Sequence, residues 1–199
     1  MFRPDIIWIL PSVGIAYYQI KYIWSIIPEA KKEDTEISGK YTDFHWIHLR
    51  NARIGLYILL ILQLFFPILS ITNIPIVITT LRIIGYAFVG LGFVISYTAL
   101  QMLGNNWSGM EEYRIKKGQK LVTSGVYAHI RHPIYTAVLL EIIGFELIVN
   151  SWLWLYIGII VCAFMFWHCK NEDTLLAKKF GGQFIQYKQR TKAFIPFIL

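Results

Sequence analysis

The sequence predicts an all-α fold: a polytopic membrane protein with five transmembrane helices and a cytosolic C-terminal amphipathic helix. Three observations carry this. Of 199 residues, 56% are hydrophobic and only 16% are charged, whereas a soluble domain has roughly a quarter of its residues charged. Mean hydropathy is +0.50. The charges are also segregated, which leaves apolar runs long enough to cross a hydrocarbon core of about 30 Å, for which roughly 20 residues suffice.

Five runs qualify: 6–27, 52–71, 74–102, 133–149 and 152–169. The first is too long for a signal-peptide core, contains Pro11 and Gln19, and lacks a small-residue cleavage site, so it reads as a retained span. Pro75 and Arg82 trim the third at its N-terminal end. The fourth and fifth are joined only by Asn150-Ser151, a tight antiparallel hairpin. The charged stretch 28–42 reads as a surface loop, and no internal repeat or low-complexity segment occurs.

Of the 19 basic residues, all but Arg3 and Arg82 lie in or beside the connectors after the first and third runs and in the tail. Basic residues stay cytoplasmic, so the N-terminus is expected outside and the C-terminus in the cytoplasm. The net charge of +7 then serves anionic headgroups, at about 1 kcal/mol per residue. The bilayer is the expected partner and nucleic acid is not; the sequence is silent on oligomeric state. Cys162 and Cys169 share a helix face and read as small packing residues.

Two polar stretches interrupt this pattern. Residues 121–135, LVTSGVYAHIRHPIY, set a glycine turn, His129, Arg131, His132 and two tyrosines against the start of the fourth run, with Pro133 suited to a first helical turn. Such a cluster at a membrane boundary suits a site that meets both a water-soluble and a lipid-embedded ligand. Residues 172–190, EDTLLAKKFGGQFIQYKQR, place Leu176, Phe180, Phe184 and Tyr187 on one helical face. Gly181-Gly182 marks a bend in that face. Taken alone, Glu172-Asp173 would complement the dipole at the start of a tail helix.

Together, Leu103-Gly104-Asn105-Asn106-Trp107-Ser108, LVTSGVY, RHPIY and the tail pattern E-D-x-L-L-x-x-x-F-G-x-x-F-x-x-Y resemble the isoprenylcysteine carboxyl methyltransferase family. The likeness is to its small prokaryotic five-span members, which are related to phospholipid N-methyltransferases. It divides the chain into a three-span region, 1–102, and a methyltransferase core, 103–199. The resemblance implies an S-adenosyl-L-methionine-dependent enzyme acting on a lipophilic small-molecule acceptor that enters from the bilayer. It implies cofactor contacts at Gln119, Lys120, Leu121, Val122, Tyr127, His132, Pro133, Ile134, Tyr135 and Glu172, with Tyr187 and Arg190 closing the pocket.

The chemistry needs no metal. A methyl sulfonium is already activated, so alignment and electrostatics supply the catalysis. Backbone around Gly125 is expected to approach a ligand closely, Glu172 to hold the cofactor's ammonium or hydroxyls, and Arg131 to orient an anionic acceptor. His168 stands where the family carries an acceptor-binding arginine, and a neutral histidine makes no permanent bidentate clamp. Ala193 likewise replaces a residue that is often basic. Trp107 and Glu141 are further acceptor-side candidates, whereas Glu146 reads as reaching the interface.

The remaining signals are structural. Gly85, Gly90 and Gly92 complete no dinucleotide-binding pattern and favour close packing of membrane helices. His129 reads as a loop residue, and His45 with His48 lacks the further ligands of a metal site. Trp46 and Trp107 suit interfacial positions. The competing functions are an NADPH-dependent sterol-type membrane reductase, from which Ile134 and Glu172-Asp173 point away, and a non-catalytic protein of the same fold.

Overall fold

The computed structural model describes residues 69–107 and 114–194, with 35–38 and the single helical positions 55 and 58. The expected span 6–27, most of 52–71, and His45, Trp46 and His48 lie outside the described residues. Helices dominate: α1 (Pro75–Leu103), α2 (Pro133–Val149), α3 (Leu153–Phe180) and α4 (Gly182–Arg190). The all-α expectation misses one feature. Strand β1 (Thr35–Ser38) pairs antiparallel with β2 (Arg114–Lys116), Ile37 opposite Ile115. Part of the stretch expected as a loop is therefore paired backbone, and parts of two basic connectors lie side by side.

Helix α1 begins at Pro75, whose missing N–H belongs among the unpaired donors of a first turn. It ends at Gly104, where φ is +49°. With the turn that follows, Pro75–Asn106 is long and apolar enough to cross a membrane. Large apolar side chains point outward, Ile76 being 71% exposed on α1 and Ile160 70% on α3. A surface of that kind suits hydrocarbon better than water.

Helices α1 and α2 approach closely because both lack side chains at the contact. A Cβ on Gly85 would stand 2.5 Å from the Gly144 carbonyl oxygen, and one on Gly144 2.6 Å from that of Gly85. Gly92 is equally tight against Ala137 and Glu141. Dispersion between touching backbones replaces the hydrophobic effect in such a setting. Gly90 does not join in: it is exposed, with nothing within 4 Å of its Cβ position. Glu146, expected to reach an interface, is fully buried in α2.

Asn150 closes the α2–α3 hairpin in the left-handed region, φ 59° and ψ 52°. Its side chain donates to Thr72 O at 2.7 Å and accepts from Thr72 N at 3.3 Å, which ties the entry to α1 to the turn. Helix α3 then runs unbroken to Phe180. Glu172 and Asp173 thus sit inside a long helix and not at the start of the tail helix. The tail helix is the separate α4, set off by Gly181 at φ +53°.

Candidate active site

A cleft forms where the end of α1, the loop 119–132, the first turn of α2, α3 beyond its apolar stretch, and α4 converge. Leu103, Asn106 and Trp107 supply one wall, and Gln119, Lys120, Leu121, Val122, Tyr127 and Arg131 line it from the loop. His132, Pro133, Ile134 and Tyr135 open α2, while Glu172, Leu176, Phe184 and Tyr187 close the far side. The cleft is open at its mouth and holds roughly 700 Å³ of empty space, open solvent included.

The loop is pinned to α1 by polar contacts. Asn106 Oδ1 accepts from Lys120 N at 2.9 Å, and Lys116 Nζ donates to Trp107 O. Gly125 opens a 3₁₀ turn at φ +57°, with Met102 of α1 directly where its side chain would be. It is therefore a packing glycine. It does not line the cleft, contrary to the expectation that its backbone meets a ligand.

The tail folds back onto the same loop. Arg131 N donates to Lys192 O at 2.8 Å and His132 N to Ala193 O at 3.0 Å, so Ile130 and Lys192 form a parallel bridge. Thr136 Oγ1 donates to Phe194 O at 2.8 Å. Tyr187 OH donates to Tyr127 O at 2.7 Å. Burial pushes the Tyr187 phenol up to about 12 and raises Tyr127 further, so both keep their protons in the physiological range.

Charge concentrates on one side of the cleft. His132 Nε2 lies 3.1 Å from Asp173 Oδ1, and Nδ1 lies 3.5 Å from Glu172 Oε2. Tyr135 OH donates to Glu172 Oε2 at 3.1 Å. Lys188 Nζ and Arg131 Nη2 approach Asp173 Oδ2 at 2.9 and 3.6 Å. Burial works to lower the His132 pKa, but hydrogen bonds to Asp173, Cys169 and Glu172 overcome it and hold the ring well above the usual imidazole range. Burial likewise favours protonation of Glu172 and Asp173; their contacts with His132 reverse this and keep both carboxyls below the usual range.

Every residue expected to contact a cofactor lines this cleft, as do Arg131 and Trp107. Arg131, however, is directed at the tail: its guanidinium donates to Lys188 O at 3.3 Å and to Thr191 O, besides meeting Asp173. Trp107 is a buried wall residue, 9% exposed, and not an interfacial one.

Three expected residues lie elsewhere. His168 is buried and packs edge-on against Tyr135, ring centroids 5.4 Å apart, one turn of α3 before Glu172. Glu141 faces Gly92 at the α1–α2 contact. Arg190 is exposed. None of the three lines the cleft. Phe180 is likewise absent from it, because Gly181 breaks the helical face shared with Phe184 and Tyr187. His129 is exposed in the loop, as expected.

Leu103 and Asn106 belong to the motif at the end of α1, and Leu176 and Phe184 to the tail pattern, but the sequence assigns none of them a ligand. No sequence signal marks Lys188 as a partner of Asp173.

The profile of the phospholipid methyltransferase family matches residues 80–183. Among curated proteins, the chain is similar to protein-S-isoprenylcysteine O-methyltransferase B of Arabidopsis thaliana, 29% identical over 115 residues, covering 57% of this chain and 58% of that protein. It is also similar to the protein-S-isoprenylcysteine O-methyltransferase of Homo sapiens, 30% identical over 122 residues, covering 61% and 43% respectively. The chain spans about half the length of the curated relatives it matches. A solved structure of the eukaryotic intramembrane Ras methyltransferase, an isoprenylcysteine carboxyl methyltransferase, superposes with a TM-score of 0.60 at 27% identity. That match covers 77% of this chain and 54% of the other.

Proposed function

The chain belongs to the phospholipid methyltransferase family, and from that premise we propose that it is a membrane methyltransferase that transfers a methyl group from S-adenosyl-L-methionine to a lipophilic acceptor. One observation carries the proposal. The residues that the sequence pattern assigns to the methyl donor come from the loop, α2, α3 and α4, and they line one cleft.

The residues present fit the donor. Glu172 offers a carboxylate whose side chain is 41% exposed, suited to an ammonium or to ribose hydroxyls. Among the described residues the buried Trp107 indole Nε1 has no hydrogen-bond partner, a donor that an acceptor atom on a ligand would satisfy. Leu121, Val122, Ile134 and Leu176 supply apolar wall.

When bound, S-adenosyl-L-methionine supplies a methyl group on a sulfonium, activated for in-line displacement. The protein's part is to bind, align and exclude water. Tyr135 and His132 hold Glu172, and Phe184 with Tyr187 covers the cleft from the tail. Arg131 acts as a clasp for the tail, and His168, packed on Tyr135 outside the cleft wall, is our candidate for the acceptor side. The relatives named for isoprenylcysteine O-methylation favour a lipidated acceptor, and His168, where the family resemblance implies an arginine, points to a different grip on its head. The pairing of β1 with β2 supports one face for the first two basic connectors, which we assign to the cytosol, with the N-terminus outside.

Ligand-induced stabilisation tests this, since a ligand that binds the native state raises its apparent stability. Full-length protein in detergent is expected to gain thermal stability from S-adenosylhomocysteine. Stabilisation by NADPH alone would favour a reductase, and by neither, a non-catalytic protein.

A further inference from the structure

Asp173 is buried and forms none of the cleft wall, yet three cationic side chains converge on it. Its Oδ1 faces His132 Nε2 at 3.1 Å, and its Oδ2 meets Lys188 at 2.9 Å and Arg131 at 3.6 Å. The other nitrogen of the same ring, Nδ1, stands 3.5 Å from Glu172 Oε2. A ring nitrogen without hydrogen would set a lone pair against a carboxylate oxygen. With an ionised carboxylate on each side, both nitrogens carry hydrogen and the ring is an imidazolium.

The surroundings leave this task to the two carboxylates. Facing the ring are Tyr135 from α2, Cys169, Glu172 and Asp173 from α3, and the Phe194 ring at 6.1 Å from the tail, while Arg131 from the loop meets Asp173. Lys188 reaches Asp173, while Tyr127 and His168 act on Glu172. Arg131 and Lys188 oppose a further positive charge; the two acids supply the negative charge that sustains it, with Cys169 adding a hydrogen bond. Glu172 is committed to the cleft, which leaves Asp173.

We propose that Asp173 is a positioning residue: by keeping His132 an imidazolium, it fixes the Glu172 carboxylate in the orientation that receives a cationic group of the ligand. This rests on the cleft being the methyl-donor site. Charge-assisted hydrogen bonds are about twice as strong as neutral ones, so a neutral ring would hold Glu172 loosely.

The test is calorimetric titration of the full chain in detergent with S-adenosylhomocysteine at about pH 6 and about pH 8.5, either side of an ordinary imidazole. Ring ¹⁵N spectra of His132 without ligand accompany it. In the unaltered protein the ring stays doubly protonated at both pH values, and affinity changes by less than about twofold. Asp173→Asn keeps the shape but loses the ring proton at the higher pH. It binds about tenfold more weakly there and recovers at the lower. Asp173→Glu retains the charge and stays independent of pH, and any loss in Lys188→Gln is equal at both values.

A doubly protonated ring in Asp173→Asn at high pH, or an equal loss at both pH values, overturns the proposal and leaves Asp173 a purely structural role. If the unaltered protein binds no S-adenosylhomocysteine, the assignment of the cleft fails instead. The ring spectra, read without ligand, tell the two failures apart.

Discussion

The two ends of α2 are built by opposite means. At its C-terminal half Gly144 meets Gly85 of α1 backbone to backbone, with no side chain between them. At its first turn His132 and Tyr135 enter a web of carboxylates and cations that reaches α3, α4 and the tail. The first contact has one geometry and admits no adjustment. The second is a set of charges whose strength depends on protonation and on what occupies the cleft. A membrane protein can keep its scaffold fixed while a charged cluster responds, because different physics holds each.

Substitutions that touch only one end should separate the two. The largest effect is expected from Gly144→Leu, whose added side chain has no space against Gly85 O and Val89. Overpacking costs about 1–3 kcal/mol, visible as a lower thermal midpoint and poorer recovery in detergent. Unchanged stability would show that the helices part readily, and the contrast between the ends would disappear.

Next comes Glu172→Gln. It should lower S-adenosylhomocysteine affinity at least about tenfold, since hydrogen bonds to charged groups contribute about 1.5–3 kcal/mol, with a smaller fall in the midpoint of the empty protein than Gly144→Leu gives. A variant that binds normally would remove Glu172 from the site.

The charged end should also give stability a dependence on pH that the glycine end cannot. Glu172 and Asp173 have lowered pKa values, so their contribution is present above the ordinary carboxyl range and is lost as pH falls through their folded values. His132 has a raised pKa. Its contribution is complete below the ordinary imidazole value and is lost as pH rises through the folded one. Thermal midpoints should therefore be highest between the ordinary carboxyl and imidazole ranges and fall on both sides, the alkaline fall beginning at the ordinary imidazole value, and His132→Gln should flatten that alkaline fall. An alkaline limb unchanged in that variant would assign it to other groups.

The smallest effect is expected from Gly90→Ala. With nothing within 4 Å, it should be neutral or stabilise by up to about 1 kcal/mol through helix propensity. A cost like that of Gly144→Leu would mean that α1 packs on a face other than the one described.

Much of this was legible in the sequence because it was local. Pro75 and Pro133 start helices, Gly181 breaks one, and Asn150-Ser151 closes a hairpin, each through its own backbone preference. The cleft wall was legible through the ordered motifs. What escaped was long-range or directional. The β1–β2 pairing joins segments far apart in sequence, one of them in a charged stretch with no strand-like alternation. Gly90 and Gly92 look alike in sequence, and only the helix rotation decides which one faces α2. His168 shares a face of α3 with Glu172, yet it packs against Tyr135 and forms no part of the cleft wall. Arg131 was expected to face the acceptor, because nothing in its neighbours announced Asp173 or the carbonyls of Lys188 and Thr191.

The return of residues 191–194 onto the loop at 130–136 sets an order of events during biosynthesis. Helices α1 to α3 leave the ribosome and can pair as soon as each has inserted, but Phe184, Tyr187 and the clasp around Arg131 come after all of them. At about 5–20 residues per second, the membrane-facing scaffold exists for seconds before its binding site does. A nascent chain halted before Thr191 would hold its helices together and still lack the hydrogen bonds that bind the tail to the loop. The cleft is therefore completed only after the helices that carry it.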